Sequence, residues 1–177
     1  MADMKSTLSA ENRREALRAA LYAATAPVSA SVLAARFSVS RQVIVGDIAL
    51  LRAAGEDISA TPRGYIVNRS RPGALRTLAC VHSYEDTAKE LNIMVDNGCT
   101  VVDVIVEHPI YGQISGQLDI ASRYDVAQFV EKLSTEDAPP LSSLTGGVHL
   151  HTLICPTEEA YQRVRSELAK ENLLFTE

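Results

Sequence analysis

Ser40-Arg41-Gln42-Val43-Ile44-Val45-Gly46-Asp47-Ile48-Ala49-Leu50-Leu51-Arg52 is the stretch on which the reading of the fold turns. Ser40 is a favourable N-cap, because its hydroxyl can accept a bond from a free N–H of the first helical turn. Ile44, Ile48 and Leu51 recur at i, i+4 and i+7, one apolar stripe facing a core. Arg41 and Gln42 lie in the first turn, off that stripe. A helix that leads with a guanidinium and an amide suits a major groove, where Arg pairs with guanine and Gln with adenine. Taken alone, the same start also fits the solvated end of a helix in any small bundle.

The flanking sequence decides between the two. Residues 1–11 are polar and expected to be loose. Upstream of the stretch, Leu17, Ala20, Leu21 and Ala24 repeat at helical spacing over about 12–24, and Pro27 ends that element. Ser29 and Ser31 are both N-caps for a short second helix, 32–37, with Leu33 and Phe37 on one side. Only Ser38 and the apolar Val39 separate it from Ser40. This is the order of a helix-turn-helix. Downstream, β-prone runs flank Pro62-Arg63-Gly64, which reads as a hairpin, or wing. Arg63 at its tip reaches a phosphate or the minor groove, or is a solvated turn charge. Ser40, Arg41, Gln42 and Arg63 are the candidate DNA contacts, and double-stranded DNA is the expected partner.

Arg69-Ser70-Arg71-Pro72-Gly73 reads as a linker between a first domain, 1–71, and a second, 72–177. The charge reverses there. Residues 1–71 carry ten Lys/Arg against six Asp/Glu, a net of +4, and residues 72–177 carry seven against sixteen, a net of −9. A basic module joined to an acidic one fits a nucleic-acid reader with a sensing domain, and also two unrelated surface compositions. No apolar run approaches a membrane span and 1–10 lacks the apolar core of a signal peptide, so the cytoplasm is the expected location and no membrane partner is expected. Cys80, Cys99 and Cys155 show no C-x-x-C spacing and read as buried thiols in a reducing compartment.

The second domain alternates strands and helices. A short strand, 78–82, precedes a helix over 85–97 with Leu91, Met94 and Val95 buried and Gly98 as its stop. Residues 100–107, rich in Val and Ile, form the clearest strand and suggest a central position. Another strand follows over 113–120. Ser122, with Asp125 three residues on, opens a helix whose apolar face is Val126, Phe129, Val130 and Leu133. After a loop over 138–147 come a strand, 148–154, a helix, 157–172, and a short strand, 173–176. The expected class is α+β, a winged helix-turn-helix followed by an α/β sandwich with helices on one face of a sheet.

All four histidines fall in this second domain: His82, His108, His149 and His151. In a strand, alternate side chains share a face, so His149 and His151 point the same way. Two imidazoles on one strand make half a site for Zn, Ni or Fe, though a surface pair has the same spacing. His82 ends one strand and Glu90 lies on the helix after it, so one more nitrogen and an oxygen can meet them, leaving a position open for a ligand. Glu85 and Asp86 are rivals for the carboxylate. His108 caps its strand or borders the same pocket. Cys80 shares a face with His82 by alternation and reads as a buried thiol.

Residues 39–48 and Thr61-Pro62-Arg63-Gly64-Tyr65 look like the helix-turn-helix and wing of the NiaR (YrxA) repressors of NAD biosynthesis. The second half resembles their 3H domain through His82 with Glu90, His108-Pro109-Ile110-Tyr111-Gly112, and Leu144-Thr145-Gly146-Gly147-Val148-His149-Leu150-His151. The resemblance implies a dimeric DNA-binding repressor that responds to nicotinic acid and silences genes for NAD synthesis or niacin uptake. It also implies a divalent transition metal held by His82, Glu90, His149 and His151. Nicotinate is then expected on the open metal position, with His108 and Tyr111 as effector contacts. Two alternatives remain at this point. One is a repressor that answers to the metal alone; the other is a metal-dependent hydrolase with Glu107 or Asp103 as general base.

Overall fold

The computed structural model describes residues 9–68, 73–136 and 138–176. The expected linker falls outside the described residues except for Gly73, as do residues 1–8 of the N-terminal stretch. The chain divides into two compact units, Met1–Arg69 and Ser70–Glu177. Among the described residues no helix is long and apolar enough to cross a membrane.

The first unit contains α1 (Ala10–Ala23), α2 (Ala30–Phe37), α3 (Arg41–Ala53), β1 (Ile58–Thr61) and β2 (Gly64–Val67). Each helix is opened by a serine. The hydroxyls of Ser9, Ser29 and Ser40 accept the N–H of Asn12, Val32 and Val43, and each such cap contributes about 1 kcal/mol. Ser29, not Ser31, caps α2, so that helix starts two residues before its expected place. Ile44, Ile48 and Leu51 pack with Leu17, Leu21, Leu33, Ile58 and Val67 in one apolar core. β1 and β2 form an antiparallel hairpin, and Val28 exchanges backbone bonds with Tyr65, tying the hairpin to the α1–α2 connection. Gly64 makes that approach possible, since a Cβ there would stand 2.3 Å from the Val28 carbonyl oxygen.

The second unit contains β3 (Ala74–Val81), α4 (Thr87–Asp96), β4 (Thr100–His108), β5 (Gly112–Ile120), α5 (Arg123–Thr135), β6 (Val148–Cys155) and α6 (Glu158–Lys170). Single 3-10 turns lie at Tyr84–Asp86 and Leu141–Thr145. The sheet is antiparallel in the order β3-β6-β4-β5, so β4 is internal, as its Val/Ile run suggests. Helical residues Leu91, Met94, Val126, Val164 and Leu168 bury against Leu78, Val101, Leu118, Ile120 and Leu153 of the sheet. The result is the expected α+β sandwich. Three elements differ from expectation, and the first is β3, which begins at Ala74 and not at 78. The helix expected over 85–97 begins as a 3-10 turn, and the strand expected over 173–176 is one bridge between Leu174 and Cys80. The chain leaves α6 through a left-handed residue, Asn172 at φ 57°, and Leu174 then bridges Cys80. Cys80, Cys99 and Cys155 are buried free thiols.

One irregularity positions the site. Val101 pairs with Leu153 and Asp103 with Thr152, so Val102 is an extra residue on β4. Such a bulge re-aims the groups beside it. Here it presents the Asp103 carbonyl and carboxylate to β6, where they meet His151 Nδ1 and the Thr152 N–H.

Candidate metal centre and nucleic-acid interface

β6 alternates half-buried and buried residues, and His149 and His151 fall on the buried, helix-facing side together with Leu153 and Cys155. Across the β3–β6 ladder, Cys80 opposes His149 and Leu78 opposes His151. His82 follows directly on β3, while α4 carries Glu90 on its buried side beside Leu91 and Met94. Glu90 Oε2 lies 2.8 Å from His82 Nε2 and 3.3 Å from His151 Nε2, and Oε1 lies 3.1 Å from His149 Nε2. All four side chains are almost fully buried, none more than 4% exposed. The four residues expected to form the site converge. Glu85 is exposed and hydrogen-bonded to Ser83, and Asp86 is half-buried at the start of α4, whereas Glu90 is buried against the three rings and is the acid at this centre.

The other nitrogen of each ring meets a backbone carbonyl. His82 Nδ1 donates to Ser83 O at 2.7 Å, His149 Nδ1 to Gly147 O at 2.8 Å, and His151 Nδ1 to Asp103 O at 2.6 Å. A carbonyl oxygen only accepts, so Nδ1 carries the proton in all three rings. In the neutral rings Nε2 then keeps its lone pair, and the three lone pairs face one carboxylate. Metal-binding histidines are held in this way, by an outer acceptor that fixes tautomer and orientation. His82 Nε2 is buried and faces the Glu90 carboxylate at 2.8 Å, where the neutral ring offers a lone pair and no proton. Three nitrogens and a carboxylate fit Zn, Ni or Fe better than Mg or Ca.

The electrostatics agree with this arrangement. Burial pushes the Glu90 carboxyl up, but the surrounding imidazoles outweigh it and hold Glu90 well below the usual carboxylate range. Burial disfavours charge on His82 and His151, yet the Glu90 carboxylate beside them leaves both above the ordinary imidazole value. The cavity is thus built to hold positive charge, whether as protons or as an ion.

Gly147 brings the two ends of the site together. It sits at φ 97°, and a Cβ on it would lie 2.5 Å from the His82 carbonyl oxygen. His82, Gly146 and Gly147 also line a cavity of about 340 Å³ with Ser83, Tyr84, Pro140, Ser142 and Ser143. His108 and Tyr111 are not in that lining. They stack on each other at the β4–β5 turn, ring centroids 4.9 Å apart, with the His108 ring accepting the N–H of Ile110. Asp103 is occupied by the Thr152 N–H, and Glu107 is exposed and bonded to Gln113.

In the first unit, Ser40, Arg41 and Gln42 are exposed at the start of α3, and Val45 and Gly46 continue the same outward surface. Arg63 is half-buried in the wing turn, where its N–H donates to Thr61 Oγ1. Asp47, absent from the candidate residues, is buried on the inner side of α3 and bound by Arg13 at 2.6 Å. Its position three residues after Ile44 puts it beside the apolar stripe, and that was the available signal. It locks α3 against α1 and leaves the Arg41 side free.

The 3H domain family matches residues 75–177, and an HTH domain family matches residues 13–66. The chain is 48% identical over 151 residues to a protein named "Probable transcription repressor NiaR" from Thermotoga maritima, covering 85% of this chain and 86% of the relative. It is 39% identical over 168 residues to "Transcription repressor NadR" from Bacillus subtilis, covering 93% of each. Helix-turn-helix, wing and 3H domain thus occur here in one chain that aligns along most of both relatives, and the chain belongs to the NiaR/NadR family of transcription repressors.

Proposed function

We propose that this chain represses genes of NAD biosynthesis or niacin uptake in the cytoplasm, binding double-stranded operator DNA as a homodimer and taking nicotinic acid as co-repressor. The sensing centre is a divalent transition metal held by His82, Glu90, His149 and His151. One observation carries this reading: three imidazoles, each tied at Nδ1 to a backbone carbonyl, turn Nε2 toward a single buried carboxylate. When bound, the ion supplies a positive charge with a free position for a carboxylate or a pyridine nitrogen. Glu90 offsets part of that charge, and the carbonyls of Ser83, Gly147 and Asp103 keep the rings from turning away.

The cavity beside His82 is the effector's place. Its volume suits a small aromatic acid, its serines 83, 142 and 143 offer hydroxyls to a carboxylate, and Pro140 offers a flat apolar wall. We favour it over His108 and Tyr111, which are occupied with each other at the hairpin end. Arg41 and Gln42 read base edges, and Ser40 and Arg63 contact the backbone. In a two-fold dimer the two recognition helices would lie roughly 34 Å apart, over a pseudo-palindromic operator. Nicotinate can favour DNA only by binding the DNA-competent arrangement more tightly than the other.

Fluorescence anisotropy of labelled operator DNA with metal-loaded protein tests the coupling. Nicotinate is expected to tighten binding, and unchanged affinity at every nicotinate level would reject it. Binding that follows added metal and ignores nicotinate would make the metal itself the signal. The hydrolase alternative has no support in a family of transcription repressors.

A further inference from the structure

Cys80 sits on β3 directly opposite His149 and is fully buried. Its sulfur, a Glu90 carboxylate oxygen and a His149 ring nitrogen all lie within 4.8 Å of one another. That is about the widest span that two ligands of one ion can have, given metal–ligand distances of roughly 2.0–2.3 Å. The placement follows from register: the β3 residue opposite His149 must project from the same face of the sheet, so Cys80 shares the space that the imidazoles enclose. His82 Nε2 reaches the same carboxylate, 2.8 Å from Glu90 Oε2.

We propose that Cys80 is a further metal ligand, so that the centre is a three-nitrogen, one-oxygen, one-sulfur site selective for thiophilic divalent ions. The inference rests on the metal reading given above. On binding, the S–H bond breaks, its proton leaves to solvent, and the sulfur electron pair goes to the ion; no oxidant or reductant is consumed. A sulfur donor favours zinc, cobalt or nickel over magnesium or manganese.

Cobalt(II) added to chelator-stripped, full-length protein reads sulfur ligation directly. Expected are visible d–d bands and an intense near-ultraviolet sulfur-to-cobalt band, both saturating together. Cys80→Ser should lose the near-ultraviolet band and keep the d–d bands, whereas Cys99→Ser/Cys155→Ser should keep both. Visible bands in the wild type without the sulfur band would overturn the assignment of Cys80 and leave the metal reading standing. The absence of any cobalt spectrum would overturn both. If Cys80→Ser does not fold, the wild-type spectrum and the Cys99→Ser/Cys155→Ser variant still decide.

Discussion

His151 Nδ1 donates to the carbonyl oxygen of Asp103 at 2.6 Å, and the same Asp103 accepts the Thr152 N–H on its carboxylate at 3.0 Å. The bulged strand is thus clamped to β6 on both sides of one peptide, and the ring of His151 is fixed by a residue that never touches the centre.

Asp103→Ala should therefore weaken metal binding while leaving the four ligands in place. Alanine keeps the carbonyl that holds His151 and removes only the Thr152 anchor, so the loss should fall below the roughly 10–100-fold of deleting a ligand's own outer partner. Competition with a chromophoric chelator measures it; an affinity equal to wild type would mean that the bulge holds His151 without help from the carboxylate.

Gly147→Ala should damage both stability and metal binding. At φ 97° an alanine is strained, and its methyl would lie 2.5 Å from the His82 carbonyl oxygen. The left-handed backbone alone costs about 1–2 kcal/mol, and the clash pushes His82 away from His149. A variant with wild-type urea midpoint and wild-type metal affinity would show that the loop adapts freely.

The pH dependence follows from the shifts. Glu90 is held below its ordinary 4.5, so its stabilising contribution is present above that value and lost as pH falls through the depressed folded value. His82 and His151 are raised above 6.5, so their contribution is present below 6.5 and lost as pH rises through the raised folded values. The metal-free second domain should be most stable between about 4.5 and 6.5 as far as this centre is concerned, and should weaken on the alkaline side. Metal affinity should run the other way, rising with pH past 6.5 as the ion displaces protons from the rings. Affinity already constant from pH 6 upward would contradict the raised imidazoles.

Arg41→Ala should cost about 1–3 kcal/mol of operator binding if the guanidinium reads a base edge. Anisotropy on operator and on random DNA separates the possibilities. An equal loss on both would make Arg41 a phosphate contact.

How much of this was readable beforehand depended on the range of the interaction. The Ser40 cap, the Ile44–Ile48–Leu51 stripe and the shared side of His149 and His151 are set within a few residues, and periodicity alone exposes them. Glu90 needs more, since Glu85 and Asp86 are rivals by spacing and only the turn of α4 buries Glu90. Alternation puts Cys80 on the face of His82, but its place opposite His149 comes from the β3–β6 register. Asp47 shows locally only as a neighbour of the Ile44 stripe, and its partner Arg13 lies 34 positions away in the chain. His108 and Tyr111 carry suitable chemistry, but a tight turn directs them at each other.

The convergence of three imidazoles on Glu90 is the centre of the account, and metal stoichiometry tests it most directly. Chelator-stripped protein titrated calorimetrically with zinc or nickel should bind one ion per chain, and His149→Ala/His151→Ala should abolish that step. No saturable binding in the wild type, or undiminished binding in the double variant, would contradict it.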